Sequence, residues 1–312
     1  MDLSIVIVNW NTRDLLKDCL KTVFGSLGNL DVEVLVVDNA STDDSVVMVT
    51  AEFPDVKLLQ THQNLGFAGG NNVALKDAVG RYVLLLNTDT LVHGDVLERS
   101  IAWLDAHQEV GVLGPRVLNE DGTVQASCSA FPSLKYLGLQ ALGITRIPKF
   151  DNYRMTGWDR SSVREVEVIS GAAMFVRRAA FKEVGLLDET FFFYGEETDW
   201  CRRFGEAGWK LVYAPIPEIT HFGGGSASKL NHRRDVLKTQ GTTRLHLKHG
   251  GVLAAIFCFL ILLFHNASRA LMWSVLDFVG KPNTAEKAAH FRAVTRDFSV
   301  AWPEQQPKVG AV

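Results

Sequence analysis

The chain has 312 residues, of which 47% are hydrophobic and 21% charged, and this composition excludes a largely disordered protein. A net charge of −3 gives no overall positive field, so nucleic acid is not an expected partner. The four cysteines are scattered without Cys-x-x-Cys spacing, which is typical of reduced thiols in a cytosolic protein. The first residues enter a predicted strand at once and lack the pattern of a secretion signal, so secretion is not expected.

Apolar, β-branched segments alternate with segments of helical periodicity over the first 110 residues. Strands are predicted at residues 3–8, 32–37, 57–60 and 82–86. Helices are predicted at residues 13–26, 70–79 and 96–106, and another begins at Asp43 behind a cap at Ser41 or Thr42. This order predicts an α/β fold with a Rossmann-like, mostly parallel sheet flanked by helices, whose ligand site lies beyond the carboxyl ends of the strands.

Three of these predicted strands end in polar side chains. Asn9 and Asn11 follow the first strand, Asp38 ends the second, and Asn87-Thr88-Asp89 follows the fourth. Asn and Asp favour turns generally, so any one of these ends has a simple structural explanation. Three of them at one edge of a sheet indicate a binding crevice.

The second half of the chain has weaker periodicity but one distinctive block. Residues 122–164 predict a variable subdomain, residues 166–176 a strand interrupted at Ser170-Gly171, and residues 211–214 a short strand. Between the last two strands, residues 191–200 place Glu196, Glu197 and Asp199 beside consecutive aromatic residues. A partly dehydrated carboxylate of this kind suits general-base catalysis. The alternative is a helix start whose acids complement the helix dipole, with an ion pair between Asp199 and Arg203.

The last third is basic and then apolar. Residues 229–248 contain six Lys or Arg and one acid, Asp235, and they precede an apolar run at residues 252–264. That run is shorter than the roughly 20 residues of a straight membrane span. His265-Asn266 and Arg269 interrupt it, which argues against a continuous span. The pattern predicts short apolar helices that lie in a membrane interface, or re-enter the membrane as a hairpin, facing anionic lipid. The alternative is a buried pair of helices.

Several motifs in fixed order resemble the inverting family 2 glycosyltransferases with a GT-A fold, especially their bacterial rhamnosyltransferase-like branch. The matching segments lie at residues 4–11, 36–43, 64–72, 86–89, 171–174, 191–199 and 221–226, the last being His221 with Gly223 to Ser226. The resemblance implies a nucleotide-sugar donor. It also implies donor-binding residues, which are Val8, Asn9, Asn11, Asp38, Asn64, Gly69, Asn71, Asn87, Thr88, Gly171 and Ala172.

The same resemblance implies a divalent metal ion, Mn²⁺ or Mg²⁺, bound by Asp89 and His221. An imidazole ligand beside oxygen ligands favours manganese somewhat. The family pattern at the catalytic block is usually Glu-Asp-x-Asp, whereas this chain has Glu196-Glu197-Thr198-Asp199. Glu197 therefore takes the place of the base that deprotonates the acceptor, with Glu196 and Asp199 as the other candidates.

The function that the resemblance implies is transfer of a sugar, with L-rhamnose from dTDP-rhamnose the first choice, to a lipid-linked or polysaccharide acceptor. UDP- and GDP-sugars are alternative donors, and a nucleotide-sugar-binding protein without catalysis is an alternative class. A nucleotidyltransferase is disfavoured, because no glycine-rich basic loop follows the first strand.

This function predicts two regions and a location. Residues 1–228 form the GT-A domain, with a nucleotide-sugar half at 1–110 and an acceptor and catalytic half at 111–228. Residues 229–312 form a helical region for membrane association. The expected location is the cytoplasmic face of a bacterial inner membrane, as a peripheral or monotopic protein that can form homo-oligomers.

Overall fold

The fold is a large mixed sheet between helices, followed by a helical C-terminal region, in a computed structural model that describes residues 1–147, 150–151, 153–216, 218–223 and 231–303. The strands are β1 Leu3–Asn9, β2 Val32–Asp38, β3 Lys57–Gln60, β4 Tyr82–Asn87, β5 Thr90–Val92, β6 Val110–Gly114, β7 Val117–Leu118, β8 Cys128–Ser129, β9 Arg164–Glu165, β10 Val168–Ile169, β11 Ala173–Arg177, β12 Lys210–Tyr213 and β13 Ile219–His221. The helices are α1 Arg13–Gly25, α2 Ser45–Glu52, α3 Gly66–Asp77, α4 Val96–Ala106, α5 Leu134–Ala141, α6 Arg178–Val184, α7 Glu196–Glu206, α8 His232–Phe278 and α9 Ala285–Arg296.

The central sheet has eight strands in the order β3-β2-β1-β4-β11-β6-β12-β9. Strands β1 to β4 are parallel neighbours, and their register places Asn9 opposite Asp38 and Val8 opposite Asn87. Strand β11 runs antiparallel between β4 and β6. The predicted α/β class and Rossmann-like sheet are confirmed, and the polar ends of β1, β2 and β4 share one edge.

Two apolar layers cover the sheet, which explains why its central strands are apolar along their whole length. Leu3 and Ile5 of β1 pack into a cluster with Leu16 of α1, whereas Val6 packs on the other face with Ala74 of α3. A strand covered on both sides has no need for alternating polar residues.

Two predicted helix starts are wrong. Helix α2 begins at Ser45 rather than Asp43, after Asp44 with a positive φ of 62°, and neither Ser41 nor Thr42 caps it. Helix α3 begins at Gly66 rather than at residue 70, because the Asn64 side chain accepts a hydrogen bond from the Gly66 N–H at 2.8 Å. Both differences arise from side chains that hold the polar edge of the sheet.

Helix α8 reverses direction at Gly251, whose φ of 76° and ψ of −177° are not helical. Val236 packs in one apolar cluster with Phe259 and Leu262. In a straight helix, residues 236 and 262 lie roughly 40 Å apart, so residues 232–250 and 252–278 form an antiparallel hairpin. We call these segments the first and second halves of α8.

The predicted division of this region into short helices is wrong, because the second half of α8 is continuous through His265, Asn266 and Arg269. Asn266 donates to the Leu262 carbonyl of its own helix at 2.8 Å, and Arg269 donates to the Ala141 carbonyl of α5 at 2.9 Å. Helix α8 contains an 18-residue window with a mean hydropathy of 2.2, of which 11% is buried, so part of the helix is apolar enough to cross a membrane by length and composition.

Candidate active site

Asp38 is held rigidly at the polar edge of the sheet. The Asn9 amide donates to Asp38 Oδ1 at 3.1 Å and to Ser41 Oγ at 3.0 Å, and the Ser41 N–H donates to Asp38 Oδ2 at 3.1 Å. Asn9 is fully buried. It therefore orients Asp38, and Ser41 belongs to this network rather than to a helix cap.

Thr12 and Asn11 connect this network to its surroundings. The Thr12 hydroxyl donates to Asn9 Oδ1 at 2.8 Å and lies 3.0 Å from the Thr88 hydroxyl, which joins the ends of β1 and β4. Asn11 is exposed and accepts a hydrogen bond from the Thr42 N–H at 2.8 Å. The predicted residues at the first, second and fourth strand ends thus lie side by side.

The segment before α3 joins the strand ends to the catalytic block. Asn39, at the end of β2, donates to Asn64 Oδ1 at 3.0 Å. Gly66 has a φ of 71°, and a Cβ built on it would lie 2.2 Å from the Phe192 carbonyl oxygen. Only glycine fits this conformation and this contact. Residues 64–66 therefore bring β2 and residues 191–199 together.

Other predicted donor-binding residues lie inside this assembly. Asn71 is 1% exposed, and its amide donates to the Phe67 carbonyl. A Cβ on Gly69 would lie 2.7 Å from Leu65 Cβ. Asn72 donates to the Leu187 carbonyl at 2.8 Å and so attaches α3 to the catalytic half. In this structure Asn71 and Gly69 support the shape of α3.

Small residues allow three backbone segments to approach each other closely. The Asn87 N–H donates to the Ala172 carbonyl at 3.0 Å. A Cβ on Gly171 would lie 2.9 Å from the Phe67 ring, and one on Gly70 would lie 2.7 Å from Val8 Cγ1. The predicted residues Val8, Asn87, Gly171 and Ala172 are therefore gathered around the start of α3.

Asp89 and His221 come together as predicted for a metal site, because β13 pairs with β5. His221 Nε2 lies 3.2 Å from Asp89 Oδ1 and 3.4 Å from Asn87 Nδ2. Ligands in adjacent positions of an octahedral Mg²⁺ or Mn²⁺ site, each about 2.1 Å from the ion, are about 3 Å apart. Among the residues that the structure describes, no group of three or more His, Cys, Asp or Glu is placed to hold a metal. This pair therefore leaves most coordination positions to a phosphate ligand and water.

The hydrogen bonds of Gln125 fix the tautomer of His221. Gln125 Nε2 donates to Asn119 Oδ1 at 2.8 Å, so its Oε1 accepts from His221 Nδ1 at 2.7 Å. In a neutral imidazole this arrangement leaves Nε2 without a proton, facing the Asp89 carboxylate. Two acceptors 3.2 Å apart repel each other, and a metal ion bound between them would remove this repulsion. The donor set therefore fits a divalent ion.

Glu196 and Glu197 begin α7, after Gly195 with a φ of 100°. The Oε2 atoms of both residues are buried and have no hydrogen-bond partner among the residues that the structure describes. Burial raises the pKa of Glu196 well above the usual glutamate value, and the Glu197 carboxylate raises it further. Burial also raises the pKa of Glu197, although nearby backbone N–H groups and the Lys238 ammonium oppose the rise. The pair therefore favours a proton on Glu196 and a charge on Glu197.

Asp199 has a different environment from the two glutamates. It is fully buried, and its carboxylate lies 2.9 Å from Arg203 Nε, 2.8 Å from Lys248 Nζ and 2.8 Å from His249 Nε2. The ion pair with Arg203 was the structural alternative for this acid, whereas the contacts with α8 had no sequence signal. The structure places Asp199 as a support for α7 rather than at a reacting hydroxyl.

A chain of contacts connects the glutamates at the start of α7 with Asp89, which follows β4. Glu197 and Cys201 lie on one face of α7, four residues apart, and the Cys201 sulfur accepts a hydrogen bond from the Ile169 N–H at 3.4 Å. Residue 169 ends β10, and Gly171 and Ala172 follow it. Since the Ala172 carbonyl accepts a hydrogen bond from the Asn87 N–H, α7 and the segment that carries Asp89 lie at the same end of the sheet. A separate cleft of about 870 Å³ is lined by Cys201 but not by Glu196 or Glu197.

The aromatic residues of the catalytic block divide into core and surface. Trp200 and Phe191 are 0% and 2% exposed, so they belong to the core. Phe193 is 42% exposed, and the ammonium of Lys238 lies 5.2 Å from the Tyr194 ring centre. Of the final predicted motif, Gly224, Gly225 and Ser226 lie outside the described residues.

The sheet has this strand order, an acid and a histidine lie together beyond β4, and two glutamates begin a nearby helix. These features define a glycosyltransferase of the GT-A class. Residues 4–185 match the glycosyl transferase family 2 domain, and the chain belongs to this family. Enzymes with this fold typically use a divalent metal ion.

Relatives and solved structures agree with this assignment. The chain is 34% identical over 212 residues to N-acetylglucosaminyl-diphospho-decaprenol L-rhamnosyltransferase of Mycobacterium tuberculosis, covering 64% of this chain and 69% of the relative. It is 26% identical to the low-salt glycan biosynthesis hexosyltransferase Agl10 of Haloferax volcanii, covering 70% and 67%. Mannosyltransferase PcManGT from Pyrobaculum calidifontis, solved with GDP-Man and Mn²⁺, has a similar fold at a TM-score of 0.59 and 17% identity, covering 96% of this chain and 84% of that one.

Proposed function

We propose that the protein is an inverting glycosyltransferase that moves L-rhamnose from dTDP-rhamnose to the sugar of a lipid-linked diphosphate acceptor. The buried Glu197 Oε2, which has no hydrogen-bond partner in the described part of the chain, is the observation that carries the reaction type. The rhamnosyltransferase relative of Mycobacterium tuberculosis supports the sugar and the acceptor class.

In this mechanism Glu197 accepts the proton of the acceptor hydroxyl as its oxygen attacks the anomeric carbon. The bond to the donor diphosphate breaks on the opposite face, so the anomeric configuration inverts without a covalent intermediate. Glu196 stays protonated, because two adjacent buried carboxylates resist double ionisation. Asp38 accepts hydrogen bonds from the nucleoside, held in place by Asn9 and Ser41.

Asp89 and His221 would hold the divalent ion, with Gln125 orienting the imidazole. Bound there, the ion neutralises the charge that develops on the leaving diphosphate. The histidine nitrogen among oxygen ligands favours Mn²⁺ over Mg²⁺ as the ion.

Transfer assays with dTDP-rhamnose and with UDP- and GDP-sugars, each with and without Mn²⁺ or Mg²⁺, test this proposal. We expect nucleoside diphosphate release and a glycosylated lipid product with dTDP-rhamnose, of inverted configuration by NMR. Glu197→Gln and Asp89→Asn should each lower kcat at least about a hundredfold, whereas the exposed Asp55→Asn should not. Donor binding without any transfer would instead favour the binding-protein alternative, and full turnover by Glu197→Gln would exclude this base.

The second half of α8 supports a location on the membrane surface. Its exposed side chains form one apolar stripe, comprising Leu253, Phe257, Leu260, Phe264, Leu271, Val275 and Phe278. The opposite face packs on the basic first half, which is bound to Asp199 through Lys248 and His249. If residues 252–278 crossed a bilayer, they would draw the ion pair between Lys248 and Asp199 toward hydrocarbon, which is costly.

We therefore place residues 252–278 in the plane of the cytoplasmic leaflet, with the apolar stripe facing lipid. Cysteines introduced separately at Val252 and Lys281, exposed positions at the two ends of this segment and outside the apolar stripe, should both react with an impermeant thiol reagent from the cytoplasmic side only. Labelling from opposite sides would show a span. The division at residues 228 and 229 remains a prediction, and the contacts of Asp199 with α8 cross it.

A further inference from the structure

Three basic side chains, centred on Lys238, lie beside the catalytic block, and the proposed reaction assigns none of them a ligand. Arg154 comes from the segment after α5, and Arg234 and Lys238 lie four residues apart on the first half of α8. Arg154, Arg234 and Glu197 all lie close enough to Lys238 to act on its charge. We call these three residues the basic cluster. Arg154 and Lys238 are exposed and Arg234 is partly exposed, so a ligand can reach them.

Both elements that carry the basic cluster are held firmly. The Arg154 N–H donates to Asp151 Oδ1 at 3.3 Å, and Asp151 also accepts from the hydroxyls of Tyr136 and Thr156. On α8, the Asn231 side chain caps the helix by accepting from the Arg234 N–H at 3.1 Å. The basic cluster is therefore positioned before any ligand binds.

A glycine contact seats the helix of the basic cluster directly against the catalytic block. A Cβ on Gly241 would lie 2.1 Å from the Tyr194 carbonyl oxygen, so only glycine permits this approach. The Lys238 ammonium lies over the Tyr194 ring, and Tyr194 precedes Gly195 and the two glutamates. The cations are consequently neighbours of the general base.

The structure places one carboxylate of the first half of α8 beside the basic cluster. Asp235 lies 3.4 Å from Arg234 and 3.0 Å from His290, so it is shared between Arg234 and a histidine of α9. The packing around Lys238, together with the charges of Arg234 and Arg154, lowers the pKa of the Lys238 amine. Three cations held at one surface favour a ligand with several negative charges.

We propose that Arg154, Arg234 and Lys238 bind the diphosphate of the lipid-linked acceptor. This inference rests on the proposed function: the acceptor hydroxyl must reach Glu197, and its diphosphate is attached to the same sugar ring. The donor diphosphate has its own place at Asp89 and His221, so the two diphosphates lie on separate cationic sites. The lipid chain then runs toward the second half of α8, which packs on the helix that carries Arg234 and Lys238.

The test uses the full-length protein and a short-chain acceptor, farnesyl-diphosphate-linked N-acetylglucosamine, with dTDP-rhamnose as donor. We compare Lys238→Gln, Arg234→Gln and Arg154→Gln with Arg233→Gln, an exposed cation beside Arg234. Each cluster variant should raise the KM for the acceptor about tenfold or more, the effect of losing one hydrogen bond to a charged group. The KM for the donor should change less than about twofold, and Arg233→Gln should leave both constants unchanged.

Farnesyl diphosphate tests the intact protein without any substitution. It should inhibit competitively against the acceptor and not against dTDP-rhamnose. The headgroups of anionic phospholipids are the other source of phosphate that the basic cluster could bind. In flotation with vesicles that contain such lipids, the cluster variants should bind the vesicles to the same extent as Arg233→Gln. Transfer by the unmodified protein establishes the proposed function first. An unchanged acceptor KM in all three variants, or loss of vesicle binding alone, then overturns the diphosphate site and leaves the reaction standing.

Discussion

The buried carboxylate of Asp199 joins α7 to the C-terminal helix α8. Replacing Asp199 tests how much these contacts contribute to the free energy of unfolding. Arg203, Lys248 and His249 surround Asp199, with side chains that are 19%, 32% and 8% exposed. Asp199→Ala leaves these groups close together without their shared acceptor. Removing one partner of a buried ion pair typically costs about 3–5 kcal/mol.

The local contacts place this variant at the lower end of that range. Lys248 keeps Asp188 at 2.7 Å, and Arg203 keeps the carbonyls of Val184 and Leu186 at 3.0 and 2.8 Å. We therefore expect a loss of about 3 kcal/mol in the free energy of unfolding. At roughly 2–4 °C per kcal/mol, the melting temperature should fall by about 6–12 °C.

Thermal unfolding followed by circular dichroism measures this loss. Asp199→Asn keeps the shape and one acceptor oxygen and should lose less. Asp77→Asn removes an exposed ion pair with Lys57 and should change the free energy by less than about 1 kcal/mol. If Asp199→Ala melts within 2 °C of the unmodified protein, roughly the effect of 1 kcal/mol or less, the contacts across residues 228 and 229 carry little stability.

Four further outcomes are expected. Turnover should fall as the pH drops through the raised pKa of Glu197, above the usual 4.5, because a protonated base cannot accept the acceptor proton; a fall centred at or below 4.5 in kcat/KM profiles would contradict this role. The free energy of unfolding should fall as the pH rises from 4.5 through the raised pKa of Glu197. Over this interval the folded form keeps a proton on Glu197 that the unfolded chain has released. Gln125→Leu should weaken Mn²⁺ binding about 10–100-fold by releasing His221, and an unchanged calorimetric titration would remove Gln125 from the site. Gly241→Ala should lower both melting temperature and kcat, since its Cβ meets a carbonyl, whereas Gly138→Ala, with open space around it, should lower neither.

The central strands could be predicted closely because their signal is local. Strands β1, β2 and β4 are apolar throughout, and each prediction ended one residue short of the observed strand. The start of α3 was missed by four residues because it depends on Asn39, which is 25 residues from Asn64 in the chain. Periodicity within a helix carries no information about such a partner.

The candidate site shows the same limit. Asp89, His221 and Glu197 were singled out through motifs in family order, and the structure brings Asp89 and His221 within 3.2 Å. Gln125 is 96 residues from His221, and a lone glutamine in a loop has no pattern that marks it. The apolar composition of residues 252–264 was recognised, whereas their reversal onto a polar helix depends on one positive φ at Gly251.

The close contact between Gly241 and the Tyr194 carbonyl affects how a soluble form of this enzyme should be prepared. Trimming the chain before α8 would remove the helix that packs against Tyr194 and would leave Asp199 with only Arg203 among the three side chains that contact it. Exchanging outward residues such as Leu253 and Phe257 for hydrophilic ones leaves the inward packing intact. Surface redesign, rather than shortening, is the route to a detergent-free preparation that still turns over.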